Sequence, residues 1–475
     1  MHGLLVAEWV VRLVMFAVVV ARKRSVPTAL AWLAVIAFVP FVGAVAYFLL
    51  GEIRLGRNRS ARYHDLVGAL AESAALRAQF TRHPAPPLRG AVRRIADLAQ
   101  AVGAGEPRSG NRVELHDDAA ILFERLAGDI HSARHHCHLE FYIADDDDVS
   151  RMVVDALLRA RRRGVACRVL LDAAGSRAFL KGPLTRRLRE AGVDVVAMLP
   201  VSALRAAVAR LDVRNHRKLC VIDGRAGYVG SHNLTDPIYP GKEAFGDWMD
   251  ASVRVEGPLV YDLQEVFLHD WAFNTGAPPA DEHFFPPVRH HEGGAVLSLL
   301  PTAPTVDRAP LLDVIVQTLQ LADERCVLTT PYFVPDDAVL AALRSAALRG
   351  VEVVLVVPKH GDHPVTQAAG RSHYGYLMDV GVQIREYPGA LLHAKTLTMD
   401  RRFGMVGSAN LDVRSFLLNF ELALLIHDDD LASQLHYLQA EYLERAEVLT
   451  PARWRGRGVI RRAGDSLAKL VTPIL

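Results

Sequence analysis

The chain has 475 residues, of which 51% are hydrophobic and 23% charged, with 55 Lys and Arg against 53 Asp and Glu. This length is enough for about three domains with buried cores and excludes a disordered chain, while the balanced charge disfavours a nucleic-acid binder that relies on a basic excess. A mean hydropathy of +0.13 is high for a soluble enzyme, so we expect the apolar residues to be concentrated in one segment.

That segment is the N-terminus. Residues 26–50 form a stretch of 25 without a charged residue or histidine, which at about 1.5 Å per residue can cross a hydrocarbon core of about 30 Å. Residues 3–21 are also mostly apolar but contain Glu8 and Arg12, four residues apart on one helical face. The sequence predicts a membrane anchor over residues 1–62 with one or two transmembrane helices. A secretory signal peptide is the alternative for the first segment.

Two basic clusters give conflicting indications of orientation. Arg22-Lys23-Arg24 favours a cytoplasmic loop between the two segments, whereas the larger cluster after residue 50 favours a cytoplasmic catalytic body. The four cysteines have no paired spacing and lie in apolar stretches, as expected of buried thiols in a reducing compartment: Cys137, Cys167, Cys220 and Cys326. We therefore expect the catalytic domains to be cytoplasmic.

A pattern of helices and buried strands occurs twice in the rest of the chain. In the first half it predicts a helix over 119–133, a strand ending at Tyr142, a helix over 149–163 and a strand over 165–171. In the second half it predicts a helix over 310–323, a strand over 326–330, a helix over 336–349 and a strand over 351–357. The glycines that end equivalent helices, Gly164 and Gly350, are 186 residues apart, which indicates a duplication.

The predicted fold class is α/β, with duplicated domains of mixed β-sheet flanked by helices after an N-terminal transmembrane region. The predicted order is an anchor over 1–62, a tether over 63–110, a first domain over 111–275, a proline- and glycine-rich linker over 276–296 and a second domain over 297–475. The second domain ends in a basic amphipathic tail, from Arg453 to Lys469, that we expect on an anionic membrane. The loop over 200–214 contains both basic and apolar residues. It is either a solvent-exposed loop or a surface that contacts anionic lipid head groups.

One motif occurs once in each half of the chain. The first copy contains His216, Lys218 and Asp223, followed by Ser231 and Asn233 in a Gly-Ser-His-Asn sequence. The second copy contains the equivalent residues, which are His393, Lys395, Asp400, Ser408 and Asn410. His and Lys are two residues apart in both copies, Lys and Asp five, and His and Asn seventeen. Agreement at every spacing is not a chance event.

The spacing has a chemical meaning. Residues two apart on a strand project from the same face, so His and Lys of each copy would reach one cavity, joined by Ser and Asn from the return strand. An imidazole, an ammonium, a hydroxyl and an amide together form an anion site with a nucleophile or proton carrier. Two facing copies would supply one His to attack phosphorus, one to protonate the leaving oxygen, and two Lys to hold the other oxygens. This chemistry requires no metal and no other cofactor.

Two carboxylates occupy matching places downstream of the motifs, Asp250 in the first half and Glu421 in the second. Each is predicted to accept the second ring N–H of the His in its own copy, with Asp247 as the alternative to Asp250. Asp223 and Asp400, which complete the two motifs, are predicted to support the turns at the strand ends. The histidines between 131 and 138 lack the matching ligands of a zinc site.

The paired His-x-Lys-x4-Asp motifs resemble the phospholipase D superfamily, over about residues 110–450. Within it, the chain resembles the bacterial cardiolipin synthases. The segments that carry this narrower likeness are Asn215 to Lys218, Gly230 to Pro237, Thr330 to Asp336, Gly407 to Ser415 and the tail from Ser466 to Leu475. The resemblance implies a membrane-bound phosphatidyltransferase that makes cardiolipin and glycerol from two phosphatidylglycerol molecules through a phosphatidyl-histidine.

The same resemblance implies the residue roles. His216 would be the nucleophile and His393 the general acid and then base, while both Lys and both Asn bind phosphate and Ser231 and Ser408 assist. The implied location is the bacterial inner membrane. The implied partners are phosphatidylglycerol and other membrane lipids, not nucleic acid. The oligomeric state stays open, and a homo-oligomer is one alternative. A phospholipase D-type hydrolase of lipids or nucleic acid is the alternative function, because hydrolysis differs only in which hydroxyl attacks.

Overall fold

The computed structural model describes residues 2–22, 26–51, 87–200, 212–238, 246–276, 284–287, 289–304 and 309–471. Most of the loop over 200–214, considered above as a lipid-contacting segment, therefore lies outside the described residues.

Three apolar helices form the N-terminal region: α1 (His2–Ala21), α2 (Val26–Phe38) and α3 (Pro40–Leu50). The apolar stretch over 26–50 forms two helices rather than one, because Pro40 cannot continue the helix and Val39 before it adopts a non-helical conformation. Among the described residues, the helix long and apolar enough to cross a membrane is Gly3–Ala21. Glu8 and Arg12 within it form an ion pair of 3.3 Å, as their spacing predicts.

The rest of the described chain is built on nineteen strands. In chain order these are β1 (Arg108–His116), β2 (His136–Phe141), β3 (Ala166–Asp172), β4 (Asp194–Met198), β5 (Leu219–Ile222), β6 (Ala226–Gly230), β7 (Trp248–Met249), β8 (Ser252–Glu256), β9 (Ala295–Thr302), β10 (Arg325–Thr329), β11 (Phe333–Val334), β12 (Glu352–Pro358), β13 (Gln383–Tyr387), β14 (Leu391–Leu392), β15 (Thr396–Met399), β16 (Phe403–Gly407), β17 (Leu411–Asp412), β18 (Glu421–Ile426) and β19 (Glu447–Val448).

Fifteen of these strands form one sheet in the order β19-β13-β12-β10-β15-β16-β18-β9-β1-β8-β6-β5-β2-β3-β4. Apart from the extra edge strand β19, the order is symmetric about the junction of β9 and β1, where the two halves pair antiparallel with Arg108 opposite Leu297. Each half has a parallel part, β2-β3-β4 or β10-β12-β13, and an antiparallel part next to the junction. The duplicated α/β fold with a mixed sheet is thus confirmed, and the two halves share one sheet.

The helices after the anchor cover the sheet. They are α4 (Gly90–Ala101), α5 (Ala119–Ser132), α6 (Asp148–Arg162), α7 (Arg177–Lys181), α8 (Pro183–Glu190), α9 (Leu259–Thr275), α10 (Pro310–Leu321), α11 (Asp337–Leu348), α12 (Pro364–Arg371), α13 (Tyr374–Asp379), α14 (Val413–Leu417), α15 (Asp429–Arg445), α16 (Pro451–Arg455) and α17 (Val459–Val471). The helices predicted from periodicity agree with the structure within about two residues, because their apolar positions repeat at the helical period.

One part of the predicted tether belongs to the catalytic body. The prediction of a tether over 63–110 is wrong from residue 90 onwards, where α4 packs Val92, Ile95 and Ala99 into the core of the second half beside Leu311. The reason is the amphipathic pattern of α4, which buries one face. Helix α4 therefore precedes the first half in sequence but packs against the core of the second half.

A shared apolar core joins the two halves. One cluster of buried side chains combines Val253 and Phe267 of the first half with Leu299 and Leu424 of the second. All four cysteines are free and buried, as predicted. Because each half contributes to the same cluster, neither half would keep its buried surface if it were separated from the other.

The aspartates that end the two motifs act as clamps at one end of the sheet. Asp223 and Asp400 both have positive φ, 52° and 53°, in the tight turns that follow β5 and β15. The Asp223 carboxylate accepts hydrogen bonds from three consecutive backbone N–H groups, those of Arg134, His135 and His136, at 2.7–2.8 Å. Asp400 does the same with residues 323–325 at 2.7–2.9 Å. The prediction that these aspartates support turns agrees with this geometry.

We expect Asp223→Ala to lower the free energy of unfolding by about 2–3 kcal/mol, because three backbone donors lose a charged acceptor and alanine disfavours positive φ. Thermal unfolding of the purified full chain in detergent measures this. Asp223→Asn, which keeps one acceptor and tolerates positive φ, is the matched control and should lose less. Equal stability of wild type and Asp223→Ala would contradict the clamp.

Candidate active site

The two His–Lys pairs lie next to strands rather than on them. His216 and Lys218 precede β5, and His393 and Lys395 precede β15, so the prediction that they lie on strands is wrong. The reason is that these extended segments bond to the opposite half: the backbone N–H of His216 donates to the Phe420 carbonyl (2.9 Å) and that of His393 to the Met249 carbonyl (2.7 Å). Each half thus positions the motif of the other.

The histidine–carboxylate pairs are crossed between the halves. His216 Nδ1 lies 2.9 Å from Glu421 Oε2, and His393 Nδ1 lies 2.6 Å from Asp250 Oδ1. The prediction that each carboxylate serves the His of its own copy is therefore wrong, although both carboxylates contact an imidazole. The symmetry about the junction of β9 and β1 explains the crossing, since it places the strand end of one half beside the motif of the other.

The two serines hold the carboxylates in place. Ser408 Oγ donates to Glu421 at 2.5 Å, and Ser231 Oγ donates to Asp250 at 2.6 Å. The prediction that they reach into the cavity is wrong, since both hydroxyls are buried behind the imidazoles against these carboxylates. Each carboxylate therefore joins a serine of its own half to a histidine of the other.

Burial and the crossed pairs set the charge of these groups. Burial lowers the pKa of His216 to about 4 even though Glu421 favours the protonated ring, and it lowers the pKa of His393 to about 3 against the opposing effect of Asp250. Burial alone raises the pKa of Glu421, but His216 and Lys218 outweigh it and hold this pKa at about 2. At neutral pH both carboxylates are therefore ionised and both imidazoles neutral, with Nδ1–H donated to the carboxylate and Nε2 left as the nucleophilic or basic atom.

The lysines bring positive charge into the same buried space. Lys218 Nζ donates to the His216 carbonyl (2.6 Å) and Lys395 Nζ to the His393 carbonyl (2.5 Å). Burial lowers the pKa of Lys218 to about 7, to which the Lys395 ammonium contributes, and burial lowers the pKa of Lys395 to about 8. An anion between them would offset both effects, since an opposite charge favours the protonated amine. This is the electrostatic character of a phosphate site.

A cavity of about 490 Å³ lies over these groups. Asn233 and Asn410, one from each motif, line its wall with both histidines. The Asn233 side-chain oxygen accepts from the Ile143 N–H (3.2 Å), whereas Asn410 Oδ1 is buried without a hydrogen-bond partner among the described residues. The remaining lining residues are Tyr142, Ile143, Arg214, Trp248, Tyr332, Val334, His363, Thr366, Asp412, Val413, Arg414 and Asn419.

Arg217, between His216 and Lys218, was missed by sequence reasoning. Its fully buried guanidinium forms an ion pair with Asp270 and donates to the backbone carbonyls of Glu421 (3.1 Å) and Thr302 (2.8 Å). It thereby ties the first motif to the strand end that carries Glu421. Its place between His216 and Lys218 could have identified it. In an extended segment, a residue between two that face the cavity points the other way, into the protein interior.

The family comparisons agree with this geometry. The family model described as cardiolipin synthase, PLD-like domain, matches residues 126–271 and 315–440, one match in each half. A second model, described as phospholipase D-nuclease N-terminal, matches residues 13–52. Two facing motifs on one duplicated sheet define an enzyme of the phospholipase D superfamily.

Similarity to curated proteins identifies the family within this superfamily. Cardiolipin synthase A of Serratia proteamaculans (strain 568) is 35% identical over 486 aligned positions, which cover 100% of this chain and 97% of the relative. Cardiolipin synthase A of Yersinia pseudotuberculosis serotype O:1b (strain IP 31758) is 34% identical over the same shares. This chain belongs to the cardiolipin synthase family. Membership and the apolar N-terminal helix indicate an enzyme that acts on phospholipid and associates with the membrane.

A solved structure shares the fold. The crystal structure of phosphatidylserine synthase from Haemophilus influenzae Rd KW20 superimposes with a TM-score of 0.57 and 14% identity, covering 80% of this chain and 100% of that one. At this identity the likeness is one of fold alone.

The pKa values of the site predict the pH profile of kcat/KM, which reports groups of the free enzyme. Because His216 stays neutral down to a pH of about 4, the acid limb should lie well below the value of 6.5 for an ordinary imidazole. As pH rises, kcat/KM should fall for two reasons: His393, whose pKa in the free enzyme is about 3, must gain a proton to act as an acid, and the Lys218 ammonium is lost above a pH of about 7. Lys218→Arg, whose charge persists, should move the alkaline limb upwards. An acid limb near 6.5 would contradict a buried neutral histidine.

Proposed function

We propose that this enzyme makes cardiolipin and glycerol from two molecules of phosphatidylglycerol through a phosphatidyl-histidine. The observation that carries the proposal is the pair of crossed histidine–carboxylate contacts at one cavity, with a buried lysine bonded to the carbonyl of each histidine. This arrangement has one nucleophile and one proton carrier for a single phosphorus atom. The curated relatives named cardiolipin synthase support the choice of product.

In the first step, Nε2 of neutral His216 attacks phosphorus while Glu421 stabilises the positive charge that develops on the ring. The N–P bond forms, the P–O bond to glycerol breaks, and His393 gives its proton to the glycerol oxygen. The anionic phosphodiester raises the proton affinity of His393 when substrate is bound, and the Asp250 contact stabilises the protonated ring. Lys218 and Lys395 hold the non-bridging oxygens, where negative charge increases.

In the second step, a hydroxyl of the second phosphatidylglycerol attacks the phosphatidyl-histidine. His393, now neutral, accepts the hydroxyl proton as the new P–O bond forms and the P–N bond breaks. His216 returns to its neutral state and His393 regains its proton, so the cycle closes without a cofactor. The assignment of His216 rather than His393 as nucleophile follows the resemblance to the phospholipase D superfamily.

Extra positive charge in the cavity favours transfer over hydrolysis. Arg214 and Arg414 line the same wall, and Asp212 orients the Arg414 guanidinium through its carboxylate (3.0 Å) and its backbone carbonyl (2.5 Å). The reacting phosphodiester carries one negative charge, which the two lysines offset. An acceptor phosphatidylglycerol brings a second phosphate, whereas water brings none, so two further cations suit a lipid acceptor.

We also propose that the catalytic body faces the cytoplasm from a bacterial inner membrane. Four free, buried cysteines support a reducing compartment, as does the basic cluster after residue 50. Protease protection in sealed right-side-out and inverted vesicles measures this. Digestion of the body from outside right-side-out vesicles would contradict it.

A donor with an activated leaving group separates the roles of the two histidines. With a phosphatidyl nitrophenol, which needs no proton from the enzyme, His393→Ala should still form the phosphatidyl-enzyme and accumulate it, while His216→Ala should form none. Mass spectrometry of the acid-labile adduct and the nitrophenol burst measure this. Accumulation in His216→Ala instead would reverse the assignment, and absence of an adduct in both variants and the wild type would contradict covalent catalysis.

Arg414→Leu should raise the ratio of phosphatidic acid to cardiolipin by about tenfold, because loss of roughly 1.4 kcal/mol of acceptor binding lets water compete. Thin-layer separation of products from labelled phosphatidylglycerol gives the ratio. Arg414→Lys keeps the charge and should stay nearer the wild type. A wild-type enzyme that yields phosphatidic acid and glycerol without cardiolipin would contradict the proposed function itself.

A further inference from the structure

The last helix, α17 (Val459–Val471), packs on the body through its polar side. It contacts α12 (Pro364–Arg371), and the buried contact contains Asp465, which forms ion pairs with Arg457 (2.5 Å) and Arg371 (3.7 Å). Asp465 is only 4% exposed. A charged residue therefore holds this helix where a soluble protein would normally use an apolar one.

The apolar side of α17 faces outwards. Ile460 is 90% exposed, Val459 72% and Leu467 65%. At about 100° per residue, Ile460 and Leu467 lie within roughly 20° of each other on the helix, and Asp465 lies roughly opposite, at about 140–160°. The outward direction of the apolar stripe is thus fixed by the ion pairs of Asp465 on the inner side.

Basic residues occupy the polar side of α17, around Asp465 and away from the apolar stripe. Arg461, Arg462 and Lys469 are all exposed on α17. A helix with an apolar face and a polar face rich in Lys and Arg is the type that lies in the head-group layer of an anionic bilayer. The sequence alone indicates such a helix, but it leaves open which side packs on the protein.

The helix also lies beside the cavity. Its partner α12 begins directly after His363, and both His363 and Thr366 line the cavity wall. The α17 surface and the cavity therefore share one structural element, so a membrane that contacts α17 is brought close to the entrance for lipid head groups.

We propose that α17 binds the surface of an anionic bilayer, with Ile460 and Leu467 inserted among the lipids and the basic charge of the helix attracted by the anionic head groups. A membrane rather than a second copy of the chain is the occupant, because an apolar anchor already holds the chain at a bilayer and the exposed charge of the helix is basic. The contact sets the cavity at the depth of the phosphodiester groups. It does not depend on whether water or a lipid hydroxyl accepts the phosphatidyl group.

Site-specific fluorescence in the full chain tests this contact. The four native cysteines are at most 2% exposed, so a single exposed cysteine can be labelled selectively with an environment-sensitive dye. In proteoliposomes with phosphatidylglycerol, the dye at Ile460→Cys should shift to shorter wavelength and be quenched several-fold more by bromine-labelled lipid tails than in the control. The control is Ile121→Cys, an apolar position on α5 that is 57% exposed.

Equal quenching at the two positions would overturn the proposal. A blue shift that appears in detergent micelles and rises with protein concentration, without quenching by brominated lipid, would assign the stripe to a second copy and also overturn it. Neither readout requires turnover, so the result stands apart from that of the cardiolipin assay.

Activity provides a second, independent readout. The double variant Ile460→Glu, Leu467→Glu should lose about tenfold in rate on phosphatidylglycerol in vesicles, since two apolar side chains no longer enter the bilayer. Its rate on a short-chain phosphatidylglycerol dissolved as monomers should equal that of the wild type. Ile121→Glu is the control and should keep both rates. An equal loss on both substrates would show damage to the fold and overturn the membrane role.

Discussion

The crossed contacts between imidazole and carboxylate are the interaction on which the rest of the site depends. Each carboxylate joins a serine of its own half to a histidine of the other, so each half is incomplete without its partner. The continuous sheet across β9 and β1, the shared core cluster and the buried Arg217 hold the two halves in one register. Removal of one acid would disturb a histidine in the opposite half, which is why the duplication functions as one enzyme.

Burial of charged groups in the empty site is energetically unfavourable, and this affects how the site responds to a bound anion. Two lysines and two carboxylates are buried within a small volume, and burial lowers the pKa values of both lysines. An anionic phosphodiester restores the charged state of each lysine and favours the protonated form of the leaving-group histidine. In the proposed mechanism, binding would therefore change the free enzyme, in which both Nε2 atoms are neutral, into a complex in which His393 carries the proton for the leaving oxygen.

The repeated local patterns were predictable from sequence, and the relations between distant segments were not. The apolar periods predicted α5, α6, α10 and α11 within about two residues, and the motif spacing identified both histidine–lysine pairs of the site but not His363, which also lines the cavity. The crossed pairing depends on how two half-sheets join, which no spacing within one copy encodes. Pro40 ends a helix that composition alone extends to residue 50. Helix α4 lies in a segment whose prolines suggested a tether, and only its packing on the second half shows its role.

The residues of each motif lie at both ends of one strand, β5 in the first half and β15 in the second. Its histidine and lysine precede the strand at the cavity, whereas Asp223 and Asp400 follow it and bind backbone N–H groups at the far end. The strand between is four residues long in both copies, so a shift of one residue at the clamp would move the histidine relative to a carboxylate 2.6–2.9 Å away. The fixed spacing of lysine and aspartate thus follows from geometry: the aspartate sets the register of the strand, and the register sets the distance on which proton transfer depends.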